Sequence, residues 1–266
     1  MTLRYAGLTD VGRVRQRNED NWAADPAQGL FIVADGMGGE FAGELASRAV
    51  VTTLPELVRK YLGTMEGLPN GRAGRRMGKA IATLSTQLRQ QTQNEPGLAG
   101  MGSTVVCALV RGRKALVAHL GDSRAYLLRT GRLKQLTKDH TLVQVLLDSG
   151  EITPEEAVTH PARGRLTRSV GMAGEPLPQT RMLELRPGDL VMLSTDGLTG
   201  MVSDGQILSI LKEPLPLETQ CRRLVDAAKA TGGADNITVA LLFFAGNEEK
   251  TSENRTRSRI SMPCRQ

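Results

Sequence analysis

Five aspartates stand where runs of β-forming residues begin or end, and this repetition constrains the fold more than any other feature of the chain. "LFIVADGMGG" is apolar from Leu30 to Ala34 and stops on Asp35. "LVAHLGDSR" ends near Asp122 and "LVMLSTDGL" near Asp196, while "GGADNITVALLFF" sets Asp235 just ahead of the final run. "RNED" sets Asp20 shortly after the first. A charged oxygen at the rim of an apolar core is costly unless a cation or a hydrogen-bond donor meets it. Strand ends lie side by side in a sheet, so acids at matching ends share one small volume, where they cannot all ionise unaided. A divalent cation removes the conflict. The donors are hard oxygens, and none of His119, His140 or His160 has a metal-like spacing, which favours magnesium or manganese over zinc. Gly36, Gly121 and Gly197 beside the acids let the backbone approach closely and offer carbonyl oxygens as further ligands. A single such aspartate is commonly a turn or cap residue. Five in similar settings point to a site.

The strand candidates are Leu3–Leu8, Leu30–Asp35, Ser103–Val110, Ala115–Leu120, Arg124–Arg129, Asp189–Thr195 and Ile237–Phe244. "VRGRK" and "LRTGR" place a glycine between β-like runs and read as hairpin turns. From Phe41 to Leu62 the pattern is helical, with Pro55 expected to break the helix or start a new one. Met77, Ile81, Leu84 and Leu88 form one apolar helical stripe, and "TPEE" and "SDGQ" are capping boxes. "CRRLVDAAKATGG" reads as a helix stopped by Gly232. Strands in hairpins and helices in blocks imply an α+β fold with antiparallel sheet. Apolar segments spread evenly from Leu3 to Phe244 imply one domain, residues 1–245, followed by a polar tail, 246–266, expected to be disordered.

The 266 residues carry a net charge of +6, and the last twenty hold five basic and three acidic side chains, so the remainder is only mildly basic. That charge, with 3% aromatics, argues against a nucleic-acid partner. The cluster "GRAGRRMGK" (71–79) is expected to be a solvated loop and helix start. Three widely spaced cysteines suggest free thiols in a reducing compartment. No signal core opens the chain and the longest apolar stretch, Ile237 to Ala245, is too short to cross a bilayer. A cytoplasmic protein without membrane contact is expected, with a monomer as the default. "GMGG" lacks the Gly-Lys-Ser/Thr of a phosphate loop, and Phe41 stands where a dinucleotide fingerprint needs its third glycine. Cys107 and Arg113 have the spacing of a cysteine-phosphatase loop, but Cys107 sits mid-strand and reads as a small core residue.

In order, "RVRQRNED", "VADGMGG", "GMGSTVV", "AHLGDSRAY", "LSTDGLTGMVSD" and "GGADNITVAL" resemble the motif series of bacterial metal-dependent protein phosphatases of type 2C, from about residue 4 to 244. The resemblance implies a sandwich of two antiparallel β-sheets flanked by helices, with metals in a cleft at one end. It implies Asp35 as the carboxylate bridging two Mn2+ or Mg2+ ions, the Gly36 carbonyl on one of them, and Asp196 and Asp235 as further ligands. Asp20 would hold the second ion through water, and Asp122 a third, weaker one. Arg15 would grip the substrate phosphate. The implied reaction is hydrolysis of phosphoserine or phosphothreonine by in-line attack of a hydroxide held between two metals, without a covalent phospho-enzyme. The arginine's planar fork suits two phosphoryl oxygens.

The chain departs from the family at Glu40, where many bacterial relatives have histidine, and at Met37, where animal relatives carry a histidine proposed as proton donor. Proton delivery to the leaving group then falls to water. Residues 140–171 match the family's flap beside the active site, where Arg163, Arg165 and Arg168 are candidates to attract a phosphorylated peptide. The implied partners are phosphorylated proteins, substrates of a bacterial serine/threonine kinase and the kinase itself. A catalytically dead scaffold would normally break the acid set, whereas a hydrolase of small phosphate esters stays compatible with it.

Overall fold

Residues 2–38, 41–63 and 70–246 are described by a computed structural model. Three strands, β1 (Thr2–Asp10), β2 (Asp20–Asp25) and β3 (Leu30–Met37), lead into two long helices, α1 (Ala42–Leu62) and α2 (Asn70–Asn94). The short β4 (Gly102–Ser103) precedes two hairpins, β5 (Val105–Arg111) with β6 (Lys114–Leu120), then β7 (Arg124–Arg129) with β8 (Arg132–Gln135). Helices α3 (Leu142–Ser149) and α4 (Pro154–Thr159) follow, then β9 (Gln179–Glu184) and β10 (Asp189–Ser194). The chain closes with α5 (Asp196–Thr199), α6 (Asp204–Leu211), α7 (Leu217–Ala230) and β11 (Ile237–Gly246).

One sheet has the order β1-β11-β10-β7-β8 and the other β2-β3-β5-β6-β9, with β4 added to β3. All pairings are antiparallel. Three apolar layers hold them. Phe31, Val33, Val106, Val191, Leu193 and Leu242 pack between the sheets. Ile32, Leu54, Met77, Ile81 and Leu109 pack the second sheet on α1 and α2, and Met192, Ile207, Leu224 and Leu241 pack the first on α6 and α7. The result is the expected α+β sandwich, helices outside and sheets inside.

The register brings the ends of seven strands together. Asp20 lies directly opposite Asp35, so β2 begins where β3 stops. Val105 pairs with Leu120, setting the start of β5 beside the end of β6. Ser194 pairs with both Val239 and Arg124, so β10 ends where β7 and β11 begin. Residues 121–123 then pass from the second sheet to the first at that same end.

Several expectations hold locally. Thr130 and Gly131 both adopt positive φ (49° and 75°), the backbone of a two-residue hairpin turn. Both capping boxes close, the stripe from Met77 to Leu88 is buried, and Cys107 is buried in β5. Others do not hold. α1 runs unbroken through Pro55, because its long buried face against the second sheet outweighs one lost hydrogen bond. Residues 71–79 are wholly within α2 rather than a loop. A Cβ at Gly74 would come within 2.8 Å of Thr180 Oγ1, so these glycines serve close helix–strand contact. Strands β2 and β9 were not expected, whereas β8 is the second arm of the hairpin that "LRTGR" implied. β8 and β9 close the edges of their sheets, and edge strands need no long apolar run. The tail lies outside the described residues, except that Gly246 ends β11. Among the described residues no helix is long and apolar enough to cross a membrane.

Candidate metal centre

Asp20 opens β2 and is buried, and its Oδ2 accepts hydrogen bonds from Thr195 (2.9 Å) and Thr238 (2.7 Å) of the opposite sheet. Its Oδ1 is buried with no partner. Burial, opposed by those two hydroxyls, pushes its carboxyl up to about 7, with Asp196 and Asp235 adding to the rise. Asp35, half-buried across the ladder, is pushed well above the carboxylate range, first by desolvation and then by Asp20, Asp196, Asp122 and Asp235 in turn. All four of the other acids therefore act on this one group.

Asp196 opens α5 directly after β10, and its carboxyl is raised by burial and by Asp235, while a hydrogen bond from Asp35 opposes the rise. Asp122 sits in the sheet-crossing turn, pushed up to about 8 by burial, then by Asp196 and Asp139. Asp235 lies just before β11 and receives the Arg15 guanidinium at 2.8 Å. That contact is the main cause raising the arginine's own pKa.

Backbone close approach supports the arrangement. A Cβ at Gly36 would fall 1.9 Å from the Gly43 carbonyl oxygen, so only glycine lets β3 pass the start of α1 there. Gly121 takes φ 117°, which turns the chain between the sheets.

Sequence reasoning missed the residues that fix these acids. Asn236 donates to the Val11 and Arg17 carbonyls (3.0 and 2.8 Å) and accepts from the Glu19 amide (2.8 Å), so one side chain pins the loop that carries Arg15. Thr195 and Thr238 tie Asp20 to the first sheet. The adjacency of "DN" and "TD" to the motif acids was the available signal. Arg124 grips Asp139 through two nitrogens (2.9 and 2.7 Å) beside Asp122.

Of the three flap arginines, Arg163 and Arg168 bond to backbone carbonyls, and only Arg163 lines the cavity beside the acids. Arg163 donates to the Val158 and Gly200 carbonyls, both at 3.3 Å, bridging the end of α4 to the segment after α5. Arg168 donates to the Leu177 carbonyl at 3.4 Å, and the Arg165 carbonyl accepts from Leu142. Between flap and acids lies a cavity of about 270 Å³ lined by Asp122, Asp196, Arg124, Val143 and Arg163. Glu40 lies outside the described residues; Met37 ends β3.

Among the described residues no three acid, histidine or cysteine side chains already close around one point as ion ligands. Their hydrogen bonds account for this: Asp20 Oδ2 turns to two threonines, Asp235 turns to Arg15, and Asp35 and Asp196 hold one another. The donor set nevertheless fits a hard dication. It is all oxygen, burial and then neighbouring acids raise the pKa of Asp20, Asp35, Asp122 and Asp196, and the unpartnered Asp20 Oδ1 is a buried acceptor that a cation or its water would satisfy. His119 and His140 stack on one another at 4.6 Å, and His119 bonds the Lys138 carbonyl, which is a packing role.

A family model described as Protein phosphatase 2C matches residues 12–238. The Mycobacterium tuberculosis serine/threonine protein phosphatase PstP is 41% identical over 241 residues, 91% of this chain and 45% of its own length. The chain therefore spans about half of that relative. The serine/threonine phosphatase stp of Listeria welshimeri is 37% identical, covering 88% of this chain and 93% of the relative. A crystal structure of the catalytic domain of PstP in complex with two manganese ions aligns with a TM-score of 0.75 at 38% identity, covering 91% of this chain and 97% of that one.

Proposed function

The chain belongs to the protein phosphatase 2C family, and from that premise we propose that it is a metal-dependent phosphatase of phosphoserine and phosphothreonine in proteins. The observation that carries the reading is the convergence on Asp35 of four other aspartates drawn from both sheets, each raising its pKa. Proteins avoid such a cluster unless it binds positive charge.

In this reading Asp35, the Gly36 carbonyl, Asp196 and Asp235 would hold two Mn2+ or Mg2+ ions, Asp20 would support one of them, and Asp122 would serve a third. When bound, such ions supply a water of lowered pKa as nucleophile and counter-charge for the phosphoryl oxygens. Arg15 is the chain's own contribution to substrate. Its guanidinium is half exposed, with a side-chain exposure of 51%, and is oriented by Asp235. A planar fork so placed orients two phosphoryl oxygens and meets the charge that develops on them. With methionine at 37, no histidine is available there to protonate the leaving oxygen, and solvent water does so.

Residues 1–245 form one catalytic domain in this reading, supported by the pairing of β1 with β11 along their length. The substrates are phosphorylated proteins of the cytoplasm, including those of a serine/threonine kinase and the kinase itself. Hydrolysis of a phosphothreonine peptide with added manganese, with chelator, and with Asp196→Asn tests the reading. Turnover should need metal and fall at least a hundredfold in the variant. Peptide turnover that survives chelation and the substitution would refute it.

A further inference from the structure

We propose that Arg17, braced on the ring of Phe41, selects phosphorylated segments that carry a carboxylate side chain one to three positions from the phosphorylated residue. The inference rests on the phosphatase reading, because it takes Arg15 as the phosphate grip.

The segment "RVRQRNED" supplies arginines at 13, 15 and 17, of which the reaction uses only Arg15. The Arg17 guanidinium carbon stands 4.0 Å from the centroid of the Phe41 ring. That ring is 54% exposed, so it is a surface platform and not part of the core. A guanidinium lying over an aromatic face is attracted to it, while its N–H groups remain directed outward in the guanidinium plane. Among the described residues no carboxylate reaches Arg17 at ion-pair distance.

The position of Arg17 relative to the phosphate grip is fixed from behind. Its carbonyl accepts from Asn236 Nδ2 at 2.8 Å, and Asn236 directly follows Asp235, which holds Arg15 at 2.8 Å. A peptide advances about 3.3–3.6 Å per residue when extended. Arg15 and Arg17 are two residues apart, which holds their Cα atoms within about 7 Å of one another, so a side chain up to three residues from a phosphate on Arg15 spans that separation. A carboxylate matches the bidentate geometry on offer.

The experiment uses the full chain with manganese and a set of phosphothreonine peptides, in which one aspartate is moved from three positions before to three after the phosphothreonine in an alanine background. Wild-type protein should favour one aspartate position over the all-alanine peptide by about three- to tenfold in kcat/KM, mostly through KM, and lose that margin as salt rises. Arg17→Met, which keeps an apolar contact with Phe41, should abolish the preference, and Arg17→Glu should transfer it to peptides with lysine at that position. Arg13→Met should leave the preference in place, since Arg13 has no such brace. Wild-type turnover of all peptides alike, or a preference unchanged in Arg17→Met and Arg17→Glu, overturns the proposal alone. Failure to hydrolyse any phosphopeptide or para-nitrophenyl phosphate overturns the phosphatase reading and the proposal with it.

Discussion

Asp35 faces Asp20 across a ladder and is raised by both Asp20 and Asp196, so the ionisation of each carboxyl group opposes that of the others. The consequence for stability is a matter of sign. Folded Asp20 and Asp122 keep a proton until about 7 and about 8, whereas an unfolded aspartate releases it near 4. Between those values the folded state binds more protons, so the protein without divalent ions loses stability as pH rises from about 4 to about 8. Thermal melts in chelator should show a midpoint that falls over that window, and manganese should flatten the fall. Asp35→Asn removes a carboxyl group whose ionisation burial and four neighbouring acids oppose. It should raise the midpoint in chelator at pH 8, by about 1–2 kcal/mol of stability, while removing metal-dependent peptide turnover. A variant less stable than wild type in chelator at pH 8 would show that repulsion does not dominate there. The acids were legible in the sequence because each interrupts a local apolar pattern. Asn236, Thr195 and Thr238 were not, because their partners lie up to 225 positions away and no local pattern records them.

Elements were legible in proportion to how much of their own sequence they bury. β5, β6, β10 and β11 are apolar along most of their length, and each announces itself. β8 and β9 carry mostly exposed or half-exposed side chains at sheet edges, so their strand character comes from a neighbour's backbone. Pro55 misled for the opposite reason. A local rule, that proline stops a helix, yields to the buried face that Val50, Leu54, Leu57 and Val58 present to the sheet. The missing N–H still has a cost, partly offset because proline also restricts the unfolded chain. Pro55→Ala should therefore stabilise the protein by about 1–2 kcal/mol, read as a rise of about 2–8 °C in the thermal midpoint. Its carbonyl bond from Gln28 would be retained. The flap makes a different element-scale prediction. Arg163 ties the end of α4 to Gly200 through two backbone carbonyls. Arg163→Ala should quicken amide exchange in residues 154–166 and leave the sheets unaffected. Exchange that stays slow there would mean that the flap is held by its apolar contacts instead.

At the scale of the molecule, the sandwich supplies its site from two independent ladders. Asp20 and Asp35 belong to one sheet, whereas Asp196 and Asp235 flank strands of the other. Apolar layers hold the sheets face to face, yet at the acid end the facing carboxylates repel, and the bonds from Thr195 and Thr238 to Asp20 and from the Glu19 amide to Asn236 cross the gap there. A dication shared between the sheets reverses that local repulsion. Its stabilisation should then be global, because opening either sheet releases the ion. Mass action sets the size: at a hundred times the dissociation constant the gain is about 2.7 kcal/mol. For a chain of this length that is a rise of about 5–11 °C in the melting midpoint. The rise should continue with the logarithm of manganese concentration and be much smaller in Asp196→Asn. Amide exchange should slow in β3 and in β11 together. Protection confined to one sheet would mean that the ion does not bridge them, and a midpoint indifferent to manganese would mean that the acids hold no ion.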